Sequence, residues 1–499
     1  MSELAKQANK TKDAAYYIKS VIGLAIMIFF GYLPAPEPIT HAGMVLLGQF
    51  IGLIFLWTTV DMVWPTFAAI ICFGFIATDI YPNSFALASV YEAGQQSIGN
   101  WCVVICIGLL LFCEVLSQTG LIRRIALAFI TSKTAKKSPW GFTFMFLLAA
   151  FVIGMFMDCT ATQLLLFALA TEVFQILGIE TEDKWAKVVS IGMTFAIVFG
   201  FGATPFCHTI PILFMGIYAG IVSSGINWLA YMAVTVPVAI ILFIILFLFM
   251  KYVVKPDMSK IENIDMNKIE SLKAGPMSAK EKFVCIVSIC LFVVWFLPGL
   301  LGVIAPNSGI YLFLDEITML TPLLVAIVLF AIVRFDGKPV LDIPEACKNM
   351  SWLVVFLLAG IMMIASAMGE DTTGLSAWCM NVVGPIFGNM SGWTMVVIIC
   401  IVSVILTNIA NNIPVGIVLV IVGTPIAMEK GMNPLIVALA VSYCANLAFT
   451  IPPAFVPVGT VYAYPYGGGK YTLRWGLIAC VYSIIVCALL IYPLASLVC

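Results

Sequence analysis

The sequence predicts an all-α polytopic membrane protein built from two inverted repeats of transmembrane helices, each with a re-entrant hairpin and a broken helix. Three observations carry this reading. Of 499 residues, 62% are hydrophobic and 10% charged, with a mean hydropathy of +1.10, more apolar content than a soluble core needs. The same run of features then occurs twice, 251 to 254 residues apart: Trp101-Cys-Val-Val leads to Thr119-Gly120-Leu121, and Trp352-Leu-Val-Val leads to Thr373-Gly374-Leu375. Finally, each half carries an apolar stretch interrupted by polar residues, Asp158 to Thr162 and Thr407 to Asn412. Each also carries one broken by Gly and Pro, Gly200-Phe-Gly-Ala-Thr-Pro205 and Ile451-Pro-Pro-Ala-Phe-Val-Pro457. Duplication with paired helix interruptions is the sequence-level pointer to the binding site of a secondary transporter.

At about 20 residues per crossing the chain has room for roughly eleven spans. They are expected near 19–33, 42–60, 65–79, 101–119, 188–220 (broken), 227–250, 283–304, 317–334, 352–369, 432–464 (broken) and 475–498. Between the fourth and fifth lies a hairpin at 140–178, and between the ninth and tenth a second at 394–429. The longest polar stretch, 251–282, contains a weak amphipathic run and divides a first membrane half, 1–250, from a second, 283–499. It reads as a cytoplasmic linker.

The basic N-terminus (Lys6, Lys10, Lys12, Lys19) precedes an apolar run from Val21 to Leu33 and then Pro34-Ala-Pro-Glu-Pro38. That order suits an uncleaved first span better than a signal peptide, which would end in a small-residue cleavage site. With the N-terminus inside, only Lys430 of the 24 basic residues falls outside, so the excess of Lys and Arg orients every loop. The chain is then a multi-pass protein of the cell (inner) membrane with a cytoplasmic N-terminus and an extracytoplasmic C-terminus. Loop charge does not decide whether 140–178 re-enters or spans twice, because either path leaves the other loops in place. Each arm is long enough to cross. The turn Asp158-Cys-Thr-Ala-Thr162, however, lacks the Gly, Pro or Asn of an aqueous loop and keeps a carboxylate, which favours re-entry.

The 15 cysteines are scattered through apolar runs without CxxC pairs or a His/Cys cluster, and read as packing residues. No cofactor, transition metal or nucleic-acid partner is indicated. HExxH and GxGD are absent as well, so a membrane-embedded enzyme has no support. Glu114 reads as interfacial, Glu370 and Asp371 as outer-loop residues, and the Met run at 361–363 as packing surface.

The Thr119-Gly-Leu-Ile-Arg-Arg-Ile-Ala126 run, the polar hairpin tips, the broken fifth and tenth helices and Tyr462 resemble the divalent anion:sodium symporter family, over about residues 20–498. The resemblance implies transport of di- or tricarboxylates with sodium, by an elevator movement in a homodimer. It also implies hairpin tips whose Ser-Asn-Thr side chains bind sodium and substrate. A physical reason for such sites stands beside it. A helix interrupted in mid-membrane exposes amides from one half and carbonyls from the other, attracting anions and Na+ respectively.

The chain departs from the family pattern at the tips, which read Asp158-Cys159-Thr160 and Ala410-Asn411-Asn412. Only Thr160 and Asn411 keep the family identity. By this carry-over Asp158, Asn411, Thr407, Asn408, Gly202 and Thr204 are cation candidates, while Thr160, Asn412, Thr209, Phe455 and Pro457 are substrate candidates. Thr204, Asn446, Thr407 and Asn408 either supply ligands or bond helix to helix. An ionised Asp158 beside an anion calls for an extra cation, a bound proton or a less charged substrate. His208, in Cys207-His208-Thr209, is a second candidate for proton coupling. In the second broken helix Phe455-Val456-Pro457-Val458 stands where the family has Thr-Pro-Pro-Asn, making the pocket more apolar. The expected activity is cation-coupled uptake, with Na+ and/or H+ as coupling ion, of a small organic anion, a carboxylate. The alternative is a cation:proton antiporter or an anion exporter of the same superfamily.

Overall fold

The computed structural model describes residues 14–498 apart from 62, 83–88, 206–208, 223–225, 227, 263–265, 273–274, 306, 376, 379–380, 383–384, 386–389 and 411. Among the described residues the chain is helical, with one strand pair, Arg334–Phe335 against Lys338–Pro339. Ten described helices are long and apolar enough to cross a bilayer, or up to twelve if each of two bent pairs forms one span.

The predicted spans correspond to helices, with four differences. The segment 65–79 divides into Trp64–Gly74 and Ala77–Ile80, and at about 16 Å the longer piece is too short to cross alone. The segment 317–334 is the second arm of a pair, Gly309–Ile317 and Leu320–Ile332, bent by 72°. Between those arms Thr318 adopts a φ of 53°, a left-handed conformation that stops the first helix. Ile343–Asn349 likewise leads into Trp352–Met368 at 78°. An unforeseen helix, Leu121–Ile130, buries Leu121, Ile122, Ala126, Leu127 and Ile130. Gly120 before it and Gly374 in the second half have φ of 72° and 67°, so the repeated Thr-Gly-Leu marks a left-handed stop that only glycine adopts without strain.

The chain forms two compact units. The first comprises 1–104, 219–224 and 351–389. In it Ala14–Phe29 packs against His41–Thr59 so closely that a Cβ added at Gly48 would lie 2.4 Å from Phe30. Trp352–Met368 is mostly buried, and its carbonyls accept side-chain hydroxyls, Ser97 on Ala359 at 2.9 Å and Thr66 on Phe356 at 2.9 Å. These two hydroxyls pair with backbone acceptors of a neighbouring helix, as a low-dielectric medium favours.

The second unit comprises 105–218, 225–350 and 390–499. It contains the first predicted hairpin as α1 (Pro139–Gly154) and α2 (Cys159–Ile176), and the first broken helix as α3 (Lys184–Phe201) and the part of α4 (Thr209–Val222) up to residue 218. Next come α5 (Trp228–Phe249), the second hairpin as α6 (Gly392–Ile409) and α7 (Asn412–Glu429), and the second broken helix as α8 (Leu435–Cys444) and α9 (Val456–Ala463). The last helix is α10 (Gly469–Val498). Residues 185–201 of α3 and all of α8 are buried. Buried on every side, these two half-helices form the unit's core.

The linker is tied to this unit by charge. Lys260 pairs with Asp183 at 2.9 Å, Glu270 with Lys136 at 2.5 Å and Glu281 with Arg124 at 3.1 Å. Three loops that the Lys and Arg distribution assigns to one side are thus bonded to one another. Ile261 and Ile269 of the linker are buried as well.

Candidate ion and anion site at the hairpin tips and helix breaks

The four interruptions lie in one unit and are joined by named bonds. The first tip runs from Met155, which closes α1, to Asp158, which opens α2. Asp158 is the N-cap: its Oδ1 accepts from the amides of Thr160 and Ala161, each at 3.0 Å. Two of the four amides that a helix start leaves unsatisfied are paired this way. Thr160 follows, half-buried, with Cys159 Sγ 3.9 Å from its hydroxyl.

The first break follows α3, which Gly202 closes. Its freed carbonyls are taken up by hydroxyls: Tyr231 donates to Gly202 at 2.6 Å and Thr235 to Ala203 at 2.7 Å. Thr204 donates to the Met155 carbonyl and so holds the break against the tip. Thr209 begins α4, but its side chain lies outside the described residues, as does His208 altogether.

In the second half the same device recurs. Thr450 donates to the Asn408 carbonyl at 2.9 Å, and Asn408 stands four residues before the first residue of α7 just as Met155 stands four before that of α2. The sequence reading named Thr204 but passed over Thr450. A polar residue four positions after Asn446, ahead of Ile-Pro-Pro, was the available signal. Replacing either with valine keeps the shape and removes the donor. Each variant is expected to lose about 1 kcal/mol of stability, by matched shifts in thermal melting; a change confined to one half would show that the bonds are not equivalent.

Asn408 holds the second break. Its Nδ2 donates to the carbonyls of Val404 and Leu447 at 2.8 and 2.7 Å. Its Oδ1 accepts from the amides of Phe449 and Thr450 at 2.7 and 3.2 Å. Thr407 donates to Ala445 at 2.7 Å and Tyr462 to Thr450 at 2.6 Å. Of the residues nominated as cation ligands, Asn408 therefore has its whole amide committed to the backbone. Thr407 and Thr204 have their protons committed and keep oxygen lone pairs. Asn411 lies outside the described residues.

The two halves meet across the breaks. A Cβ at Gly202 would lie 3.0 Å from the Tyr443 ring and 3.4 Å from Asn446 Cβ. The rings of Phe201 and Phe455 are 5.8 Å apart. Gln163, one turn beyond the first tip, donates to Thr194 Oγ1 of α3 and to the Pro457 carbonyl of α9, both at 2.9 Å. Phe455 and Pro457 are buried, so the aromatic and the proline nominated as cargo contacts sit against the first repeat.

Among the described residues, several buried polar atoms on these segments have no partner: Thr162 Oγ1, Gln163 Oε1, Asn412 Nδ2 and Asn446 Oδ1. Leaving such a group unpaired costs about 1–3 kcal/mol. Others, among them both amide atoms of Gln49 and the Ser483 hydroxyl, lie away from the tips and breaks, so it is the position of these four beside the interruptions that nominates them as binding groups. Asn412 offers a donor suited to an anion, while Asn446 and Gln163 offer acceptors. Thr162 and Gln163 stand one and two positions past Ala161, where the family motif had already ended, just before the apolar run Leu164 to Ala170.

The family profile described as Sodium:sulfate symporter transmembrane region matches residues 14–497. Among curated proteins, the chain is 26% identical over 215 residues to solute carrier family 13 member 1 of Rattus norvegicus, covering 40% of this chain and 35% of that protein. It is 28% identical over 222 residues to the Na(+)/citrate cotransporter of Rattus norvegicus, covering 39% of this chain and 37% of that protein. These alignments span little more than a third of the relatives' length. Among solved structures, the Alcanivorax borkumensis YdaH transporter is similar with a TM-score of 0.51 and 14% identity, over 95% of this chain and 96% of that one. That likeness shows an inverted-repeat transporter fold.

Proposed function

We propose that this chain, which belongs to the sodium:sulfate symporter family, takes up a small organic anion, a carboxylate, in symport with Na+. The observation that carries the reading is the set of unpaired buried polar atoms on both tips and breaks, held together by cross-repeat bonds. Acceptors at Asn446 and the carboxylate of Asp158 suit a cation. The Asn412 amide and the N-terminus of α9, whose cap residue Phe455 pairs none of its amides through a side chain, suit an anion. Thr160, Thr209, Phe455 and Pro457 complete the substrate side. Gly202, Thr204, Thr407 and Asn411 complete the cation side, where oxygen lone pairs rather than protons are used. Phe455 favours cargo with a carbon skeleton over a bare inorganic anion.

Both hairpins, both helix breaks and α3, α8 and α9 share one compact unit, which supports their moving together in an elevator-type cycle. The relatives support a homodimer only through the family. Ion pairs joining the 121–137, 178–184 and 255–282 loops support the reading that these loops share the cytoplasmic face, with the N-terminus inside and the C-terminus outside the cell membrane.

A thermal-shift screen of carboxylates in sodium and in choline buffer, at two pH values, tests this. A ligand at 100 times its Kd adds about 2.7 kcal/mol to the folded state, so a carboxylate should raise the melting temperature in sodium and not in choline. Stabilisation that ignores sodium and follows pH would point to proton coupling instead. Counterflow in proteoliposomes that runs against an inward sodium gradient would overturn the symport direction.

A further inference from the structure

We infer that the cargo carries a hydrogen-bond donor of its own, a hydroxyl or an acidic O–H, and that Gln163 is the residue that reads it. This rests on the reading of the site as an anion site. The orientation of the Gln163 amide follows from its partners. Thr194 Oγ1 spends its proton on the Ser190 carbonyl at 3.0 Å, so it can only accept from Gln163. The Pro457 carbonyl can only accept as well. Both amide protons of Gln163 are therefore used, and a flipped amide would set acceptor against acceptor. What remains is Oε1, fully buried and without a donor among the described residues.

Asn446 repeats the pattern in the second half. Its Nδ2 donates to the Ser442 carbonyl at 2.6 Å, leaving a buried Oδ1 unpaired. A bound Na+ answers an acceptor that shares its site with further free oxygens. Around Gln163 the neighbouring oxygens are already occupied by its own protons. A single vacant lone-pair oxygen there is matched by a single donor. Nothing in a fully ionised dicarboxylate or in sulfate supplies one. Gln163 also touches Pro457, two residues from Phe455, so it stands beside the segment nominated for cargo contact. A site that presents a buried acceptor rejects an isostere lacking the donor, because the acceptor is then left dry and unpaired.

Two pairs of probes isolate that donor at equal charge. Malate differs from succinate by one hydroxyl, and hydrogen phosphate from sulfate by one O–H at a pH where phosphate is chiefly the dianion. Binding of each to the purified full-length protein in sodium is measured by calorimetry. The wild type should prefer the donor-bearing member by about tenfold or more in the pair that fits its pocket. Gln163→Met, of similar length, removes Oε1 together with the two bonds that Gln163 donates, so its readout is the ratio of affinities within each pair, which should fall to about one whatever the absolute affinities become. Equal affinities within both pairs in the wild type overturn the inference even if the variant fails to fold, and so does a preference that survives Gln163→Met. Tight binding of succinate or sulfate without discrimination would keep the anion site and reject the donor. Binding of none of the four in sodium would reject the anion site and the donor with it.

Discussion

Asn408→Ala is expected to abolish uptake and to lower the stability of the folded protein by about 3–5 kcal/mol. The side chain removed pairs the carbonyl of Leu447 and the amides of Phe449 and Thr450, three groups of the second break that no helix satisfies. Asn408 is buried, so no bulk water replaces them, and each lost partner costs roughly 1–3 kcal/mol where nothing else donates or accepts. The Thr450 hydroxyl keeps its bond to the residue-408 carbonyl, which bounds the loss from above. Asn408→Asp is the informative control. It retains the acceptor for Phe449 and Thr450 but sets a carboxylate oxygen against the carbonyls of Val404 and Leu447 in a buried place, so its loss in thermal melting of the solubilised protein should be at least as large as that of alanine. If Asn408→Ala melts within about 1 kcal/mol of wild type and transports normally, the break is held by something other than this amide.

The architecture was legible because it rests on patterns that bilayers enforce. Apolar runs of span length, the repeated Thr-Gly-Leu and the Gly and Pro of the breaks each follow from a local physical demand. The left-handed Gly120 and Gly374 show how directly sequence maps to backbone there. Bends were less legible, since the 72° turn between Ile317 and Leu320 depends on one threonine's conformation and not on composition. The site was legible only as segments. Asp158, Thr204, Thr407 and Asn408 were named as ligands, yet the structure gives each a bond to the backbone of a tip or break. Sequence spacing cannot tell a polar side chain that binds an ion from one that satisfies an interrupted helix, because both sit at interruptions. Gln163 and Thr450 were missed for the complementary reason. Their partners, Pro457 and Asn408, lie 294 and 42 residues away, beyond any local pattern.

That ambiguity is sharpest at Asp158, and three substitutions resolve it. As an N-cap the residue has a complete structural explanation: Oδ1 holds the amides of Thr160 and Ala161, and a negative charge is favoured by the positive end of α2. Serine and asparagine cap about as well as aspartate, whereas alanine costs about 0.5–2 kcal/mol. Were capping the whole role, Asp158→Ser and Asp158→Asn would behave as wild type and Asp158→Ala alone would be impaired. A carboxylate inside an apolar run is itself costly, by about 2.5–3.5 kcal/mol on insertion scales, and a neutral cap was available without that cost. The proposed use of the charge at the first cation position predicts that both neutral caps raise the half-saturating sodium concentration by about tenfold, equivalent to roughly 1.4 kcal/mol, at unchanged melting temperature. Loss of a fixed negative charge next to an anion works the other way on the cargo, so at saturating sodium its apparent affinity should hold or improve. Uptake measured against sodium and against cargo, at two pH values, separates the two effects. Sodium and pH dependence identical to wild type in both Asp158→Ser and Asp158→Asn would leave Asp158 a helix cap and nothing more.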